Sequence, residues 1–192
     1  SDMTAMHPQK WQVRHEYDMI RRIRGNPQPA TGDTALSDPK PAFVALDQPA
    51  QERNPYPPPY DHATDGRFRR VLGEPFGLTK FGVNLTELKP GSASSLRHWH
   101  TAEDEFVYVL EGSPTLVTDA GEVALAPGMC AGFPADTGNG HRMENRTDGI
   151  VRYLEVGNRS AAEKVHYSDA DLRLEKAEDG TRRFVHRDGT PY

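Results

Sequence analysis

The chain has 192 residues, a formal net charge of −5 and a pI of about 5.9. Lysine and arginine are dispersed, which argues against a nucleic-acid surface, and no apolar run approaches the roughly 20 residues of a membrane helix. Cys130 is the only cysteine, so an intramolecular disulfide is excluded. We therefore expect one domain with extensions, located in the cytoplasm, without nucleic-acid or membrane partners.

Residues 1–66 are rich in proline, aspartate, glutamine and arginine, and their hydrophobic periodicity is weak. Such a segment buries too little apolar surface to fold alone, so we predict an N-terminal arm packed on the rest of the chain. Within the arm, residues 11–23 indicate a short helix, and Ala42–Leu46 indicates a short strand. The proline-rich stretch Asn54–Tyr60 predicts an extended strap across the domain. The alternative is a polyproline ligand for a separate module.

Residues 67–157 alternate short apolar runs with glycine, proline, aspartate and asparagine. About eight strands at such intervals, without helices between them, predict an all-β sandwich or barrel. The predicted strands are Phe68–Leu72, Lys80–Leu88, Glu105–Leu110, Pro114–Thr118, Glu122–Leu125, Met129–Phe133, His141–Asn145 and Ile150–Val156.

The C-terminal segment, residues 158–192, is polar. Its charged stretch Asp169–Gly180 indicates a solvated surface, and Arg182–His186 predicts a last strand. The predicted organisation is therefore an arm at 1–66, a β-barrel at 67–157 and an irregular extension at 158–192.

Three histidines and one glutamate form the most informative pattern of the chain. Side chains of a strand alternate between its faces, so His98 and His100 point one way and Trp99 the other. Glu105 and His141 add a carboxylate and a third imidazole. This donor set suits iron, manganese, nickel, copper, cobalt or zinc, and it does not suit calcium. The alternative is that the two histidines of the strand have no ligand role.

Around these residues the chain resembles the cupins. The first cupin motif reads Gly, five residues, His-x-His, three or four residues, Glu, six residues, Gly. The matching positions are Gly91, His98, His100, Glu105 and Gly112, with six residues between the first two. The spacing assigns the motif's carboxylate to Glu105, and Glu103 and Asp104 follow the histidines too soon.

The second cupin motif is matched by Gly128, Pro134, His141 and Asn145. Asp136 stands where the family has glycine, and four residues, 137–140, replace two before the histidine. The resemblance implies a double-stranded β-helix, also called a jelly-roll or cupin barrel. It also implies one divalent transition metal ion, whose ligands are His98, His100, Glu105 and His141.

Strand parity predicts the lining of the metal pocket. With Glu105 facing inward, Val107 and Val109 face inward too and give a largely apolar lining. The residues expected to pack outside against other elements are Phe106, Tyr108 and Leu110. The residues weighed as substrate or lid contacts, with a structural role as the alternative, are Tyr56, Tyr60 and Arg69.

Cupins include dioxygenases, isomerases, epimerases, decarboxylases and lyases. We expect a metal-dependent enzyme acting on a small polar metabolite and favour a dioxygenase-type oxidoreductase. A metal-dependent isomerase or lyase, or a non-catalytic cupin that binds a small ligand, is the alternative. The catalytic residues are unknown, and by residue type alone a base could be Glu103, Tyr108 or His186. The strap and exposed strand edges predict a homodimer.

Overall fold

The computed structural model describes residues 42–176 and 181–192. In these ranges no helix is long and apolar enough to cross a membrane. Two short 3-10 helices span Ala45–Asp47 and Glu74–Phe76. The strands are β1 (Gln51–Glu52), β2 (Arg67–Val71), β3 (Phe81–Leu88), β4 (His98–His100), β5 (Glu105–Glu111), β6 (Thr115–Thr118), β7 (Gly121–Ala124), β8 (Cys130–Phe133), β9 (Arg142–Glu144), β10 (Val151–Asn158), β11 (Lys164–Tyr167), β12 (Arg173–Lys176) and β13 (Arg182–Val185).

The strands form three antiparallel sheets. One has the order β1-β2-β3-β10-β5-β8, the second β13-β12-β11-β4 and the third β7-β6-β9. An isolated bridge between His98 and His141 joins the second sheet to the third. The all-β jelly-roll prediction is confirmed, and the strands predicted between 68 and 156 appear with ends shifted by one or two residues.

The barrel interior is built from alternate residues of facing strands. Val107 and Val109 of β5 are buried, as parity predicts, beside Val151 and Tyr153 of β10. The residues on the outer face of β5 were predicted to pack against other elements, and their exposure does not agree with this. Phe106, Tyr108 and Leu110 are 43%, 39% and 45% exposed, so the prediction that they pack against other elements of the chain is wrong.

Part of the predicted arm lies within the described residues, whereas residues 1–41, including the helix predicted at 11–23, lie outside them. The strand predicted at Ala42–Leu46 is wrong. Local hydrogen bonds close a 3-10 turn there, because the amides of Asp47 and Gln48 donate to carbonyls three residues back. The strap is ordered: Tyr56 is buried, and its ring contacts Tyr167 and Phe184.

The C-terminal segment contains the predicted last strand as β13 and two further strands, β11 and β12, that the sequence did not indicate. In β11 the apolar residues Val165 and Tyr167 alternate with Lys164 and His166. Because β11 pairs with β4, this segment forms the wall beside His98 and His100. The C-terminal segment is therefore part of the barrel that positions the candidate metal ligands.

Candidate metal centre

The structure brings the four predicted ligands together from two strands, β4 and β5, and the residue before β9. His98 and His141 form a reciprocal backbone pair, with N···O distances of 3.1 and 2.8 Å. This pairing sets their imidazoles side by side, with ring centroids 4.8 Å apart. His100 lies two positions along the same face of β4 as His98, at 5.0 Å between ring centroids.

Glu105 lies at the centre of the imidazole cluster. Its Oε2 is 3.0 Å from Nε2 of His141 and 3.7 Å from Nε2 of His100. His98, His100 and Glu105 each offer one donor atom, and these three atoms lie within 4.8 Å of one another. Metal–ligand bonds of about 2.0–2.2 Å place donor atoms at comparable separations, so small side-chain shifts suffice for one ion to be shared.

Hydrogen bonds at Nδ1 orient two of the imidazoles. Nδ1 of His98 donates to the carbonyl oxygen of Leu96 at 2.9 Å, and Nδ1 of His100 donates to Oε1 of Glu163 at 3.2 Å. Since both acceptors lack a proton of their own, Nδ1 carries the hydrogen in each ring. The Nε2 atoms of both residues then keep a free lone pair for a cation.

The ring of His141 is fixed by stacking. Phe133 packs against it with centroids 3.6 Å apart and an interplanar angle of 3°. Its Nε2 faces Glu105, and its Nδ1 is buried without a hydrogen-bond partner among the described residues. Phe133 was predicted as the end of a strand, and the structure gives it contact with a predicted ligand.

The protonation states of His98 and Glu105 fit a cation site. Burial, together with the neighbouring His141, lowers the pKa of His98 to about 3, so that this imidazole is neutral. Burial alone would raise the pKa of Glu105, but the neighbouring imidazoles of His100 and His141 hold it well below its usual value. Neutral imidazoles and an ionised carboxylate are the forms that bind a metal ion. The donor set therefore fits one divalent transition metal.

Glu163 is a residue of the site that the sequence did not predict. Its Oε1 accepts from His100 Nδ1 and from the amide of Thr101, and its Oε2 accepts from the amide of Ala102 at 3.0 Å. The side chain is buried. No local signal reveals this role, because the position lies in the polar C-terminal segment, 63 residues after His100.

One wall of the interior is polar, which corrects the prediction of a largely apolar lining. The inner faces of β2, β3 and β10 bring Arg69 within 2.9 Å of Glu155. Asn84 Nδ2 and Thr86 Oγ1 donate to the same carboxylate at 3.3 and 3.4 Å. Arg69, weighed from sequence as a substrate contact or a structural residue, thus faces the interior that holds the candidate ligands.

Of the three bases considered by residue type, one lies close to the ligand cluster: donor atoms of Glu103, His100 and Glu163 lie within 4.8 Å of one another. Tyr108 lies on the exposed outer face of β5. His186 is hydrogen-bonded to Asp171 and stacked on Tyr192. Glu103 accepts a hydrogen bond from the amide of Ser160 at 2.7 Å. Tyr108 and His186 therefore do not face the candidate metal centre.

Comparison with known proteins places the chain in a family. Residues 84–157 match the family described as Cupin domain. A sugar phosphate isomerase of the cupin superfamily from Silicibacter pomeroyi is 43% identical, with a TM-score of 0.76 over 79% of this chain and 96% of that chain. A candidate sugar phosphate isomerase from Acidithiobacillus ferrooxidans is 30% identical, with a TM-score of 0.60 over 66% and 80%.

The polyketide cyclase RemF from Streptomyces resistomycificus is 25% identical, with a TM-score of 0.52 over 61% of this chain and 78% of that chain. No curated protein matches the chain significantly. The fold, the matched domain and the 43% identity over nearly the whole length of a cupin lead to one conclusion. The chain belongs to the cupin superfamily.

Proposed function

We propose that the protein is a metal-dependent isomerase of a small phosphorylated sugar. The observation that carries the proposal is the convergence of three imidazoles and one carboxylate inside a barrel with one polar wall. The proposed ligands of one divalent transition metal ion are His98, His100, Glu105 and His141. The substrate class is supported by the 43% identical cupin named as a sugar phosphate isomerase.

The donor set is suited to a catalytic ion. Four protein ligands leave coordination positions open for a substrate when the ion prefers five or six. When bound, such an ion supplies Lewis-acid polarisation of a substrate oxygen. The interior adds hydrogen-bond donors, because Nε of Arg69 is buried without a hydrogen-bond partner among the described residues. A polyhydroxylated substrate offers the oxygens that such donors require.

Two other hypotheses from the sequence stay open and make different predictions. The same donor set suits ferrous iron, so a dioxygenase would consume oxygen together with its substrate. A non-catalytic cupin would bind a small ligand and release it unchanged. The cytoplasmic location and the lack of nucleic-acid and membrane partners also stay predictions.

The proposal is tested with purified protein reconstituted separately with manganese, iron, cobalt, nickel and zinc. Aldose and ketose phosphates of three to six carbons are incubated aerobically and anaerobically, and the products are identified by NMR. We expect conversion of an aldose phosphate to its ketose, or the reverse, at the same rate without oxygen and with loss after chelation. Oxygen uptake coupled to substrate loss would support the dioxygenase hypothesis. Binding of a sugar phosphate without any product would contradict both enzyme hypotheses.

A further inference from the structure

An ion pair lies beside the candidate ligands on the inner face of the largest sheet. In the pairing of β10 with β5, Gly157 is opposite Glu105 and Glu155 is opposite Val107. Glu155 and Glu105 are therefore diagonal neighbours on one face, and such positions are about 7–8 Å apart between backbones. A carboxylate at this separation reaches a substrate bound at the ligands, and it is not itself one of them.

The surroundings of Glu155 hold its carboxylate in one place. Arg69 lies 2.9 Å away, and Asn84 and Thr86 donate to its two oxygens. The Glu155 side chain keeps 15% exposure. Gly82 and Gly157 are paired on the same inner face, and a Cβ built at Gly157 would lie 3.1 Å from the carbonyl oxygen of Asp104. A Cβ built at Gly82 would meet no atom closer than 3.8 Å.

Polar groups around the ion pair have unused hydrogen-bonding capacity. Nε of Arg69, Nε of Arg67 and the hydroxyl of Tyr153 are buried without hydrogen-bond partners among the described residues. Burial raises the pKa of Tyr153, so its phenol stays protonated. The hydroxyl can therefore donate a hydrogen bond to a ligand oxygen. Unpaired buried donors are rare in proteins. Three of them around one carboxylate indicate a place built for an oxygen-rich ligand or its bound water.

The other inward-facing carboxylate, that of Glu105, is one of the proposed metal ligands. Oε2 of Glu105 contacts Nε2 of His141 and of His100, so it belongs to the ligand cluster. Glu155 contacts Arg69, Asn84 and Thr86, and none of these is a proposed ligand. The interior therefore holds two carboxylates with separate surroundings, and that of Glu155 is the one that no proposed ligand contacts.

We infer that Glu155 is the catalytic base that moves a proton between the two carbons of the isomerised sugar, an inference that rests on the proposed isomerase function. Its carboxylate removes the proton from the hydroxyl-bearing carbon next to the carbonyl. The electron pair of that C–H bond becomes the C=C bond of an enediolate, and the carbonyl π pair moves onto oxygen. The Glu155 carboxyl returns the proton to the former carbonyl carbon while the hydroxyl proton passes between the two oxygens. Atoms balance, and no oxidant takes part.

Arg69 is the positioning residue of this step. Glu155 raises the pKa of the Arg69 guanidinium, which therefore stays a cation, although burial opposes this. One Nη atom holds the Glu155 carboxylate, and the unpartnered Nε is left for a substrate oxygen. This division of donors orients the base and the substrate with one planar side chain.

The test compares Glu155→Gln with Glu87→Gln. Glu87 lies on the outer face of β3, is also 15% exposed and also pairs with an arginine, Arg152 at 2.7 Å. We expect E155Q to lower kcat by about 100-fold or more, as removal of a general base does, with KM changed less than threefold. In D2O the wild type and E87Q should place deuterium on the product carbon, and E155Q should not. All three proteins should hold equal metal by elemental analysis.

Each result has a distinct meaning. If the wild type isomerises no sugar phosphate with any metal, the proposed function fails together with this inference. If the wild type is active and E155Q keeps its rate, or if wild-type product contains no deuterium, only the assignment of Glu155 fails. If E155Q binds less metal, Glu155 supports the centre and is not the base. Glu155→Asp keeps the charge beside Arg69 and serves if the glutamine variant misfolds, since a shortened carboxylate should still reduce kcat without changing metal content.

Discussion

Glu163 binds Nδ1 of His100 at 3.2 Å and thereby links the C-terminal segment to the candidate metal centre. The same carboxylate accepts the amides of Thr101 and Ala102, directly after β4. A carboxylate that holds the far nitrogen of a ligand histidine fixes the ring and increases the basicity of its other nitrogen. Glu163 thus acts on the centre through His100, and it ties the end of β4 to β11.

Replacement of Glu163 by glutamine should weaken metal binding by about 10- to 100-fold, the range for residues that support metal ligands. An amide has a single acceptor oxygen, so it cannot serve the His100 ring and both backbone amides together. Affinity is measured by competition with a chromophoric chelator. Glu175→Gln, in a pair with Arg173 on β12, is the control and should bind as the wild type does. If both variants bind the metal with equal affinity, Glu163 does not support the metal centre.

The ligand assignment itself predicts the effect of four single alanine variants. Substitution of His98, His100, Glu105 or His141 should each remove most of the bound metal while the barrel stays folded, because the core cluster of β3, β5 and β10 does not depend on them. Metal is counted by elemental mass spectrometry, and folding is checked by circular dichroism. His62→Ala is the matched control, since this histidine is exposed and pairs with Asp65, away from the candidate ligands. Unchanged metal in the four variants would show that the ligands are wrong.

Removal of the metal should lower the stability of the protein. An ion that binds the folded state adds RT ln(1 + [L]/Kd) to the free energy of unfolding, about 2.7 kcal/mol at a concentration of 100 times Kd. We therefore expect chelation to lower Tm and re-addition of the ion to restore it. Glu105→Ala should show no such dependence on added metal. If neither chelator nor added metal changes the Tm of the wild type, the proposed metal centre is contradicted.

Local patterns were sufficient to predict the barrel strands and to select the four residues that the structure brings together as candidate ligands. His98 and His100 share a face because strand side chains alternate, and the motif spacing selected Glu105 over Glu103. Pairing between distant strands was not predictable in the same way. Parity assigns Glu155 to one face of β10 but does not reveal that β2 supplies Arg69 to that face.

The errors in the N-terminal and C-terminal segments have the same origin. Ala42–Leu46 has an apolar composition typical of a strand, but hydrogen bonds within the segment close a 3-10 turn instead. In β11 the alternation of two apolar and two polar residues is too short to be distinguished from a polar surface. Its strand conformation depends on the exposed edge of β4, which no property of residues 164–167 indicates.

Two motif glycines provide a matched test of backbone packing. Gly91 and Gly112 both have φ of 78°, a left-handed conformation that costs other residues about 1–2 kcal/mol. A Cβ on Gly91 would meet nothing within 4 Å, whereas on Gly112 it would lie 2.6 Å from the carbonyl oxygen of Ile150. We expect Gly112→Ala to be less stable than Gly91→Ala by a further ~1–3 kcal/mol from overpacking. Urea unfolding of the metal-free variants measures this difference, and equal losses would contradict the close contact.

We propose the outer face of β5 as the interface of the predicted homodimer. The outer β5 patch comprises Phe106, Tyr108 and Leu110, each at least 39% exposed, next to Leu154 and Val156 of β10. The neighbouring outer positions of β8, Cys130 and Gly132, are small and leave the three large side chains raised above the sheet. An apolar patch of this kind on one sheet face suits a second copy related by a twofold axis.

A dimer through the outer β5 patch predicts a scattering mass of twice 21.4 kDa for the wild type. Leu110→Glu should give the mass of one chain, because the glutamate would be buried without a partner at the interface. Val123→Glu is the control: Val123 is 51% exposed on β7, in another sheet, and should leave the dimer intact. Circular dichroism establishes that both variants are folded. A wild-type mass of one chain at working concentration would refute the dimer, and a dimeric Leu110→Glu variant would place the interface elsewhere.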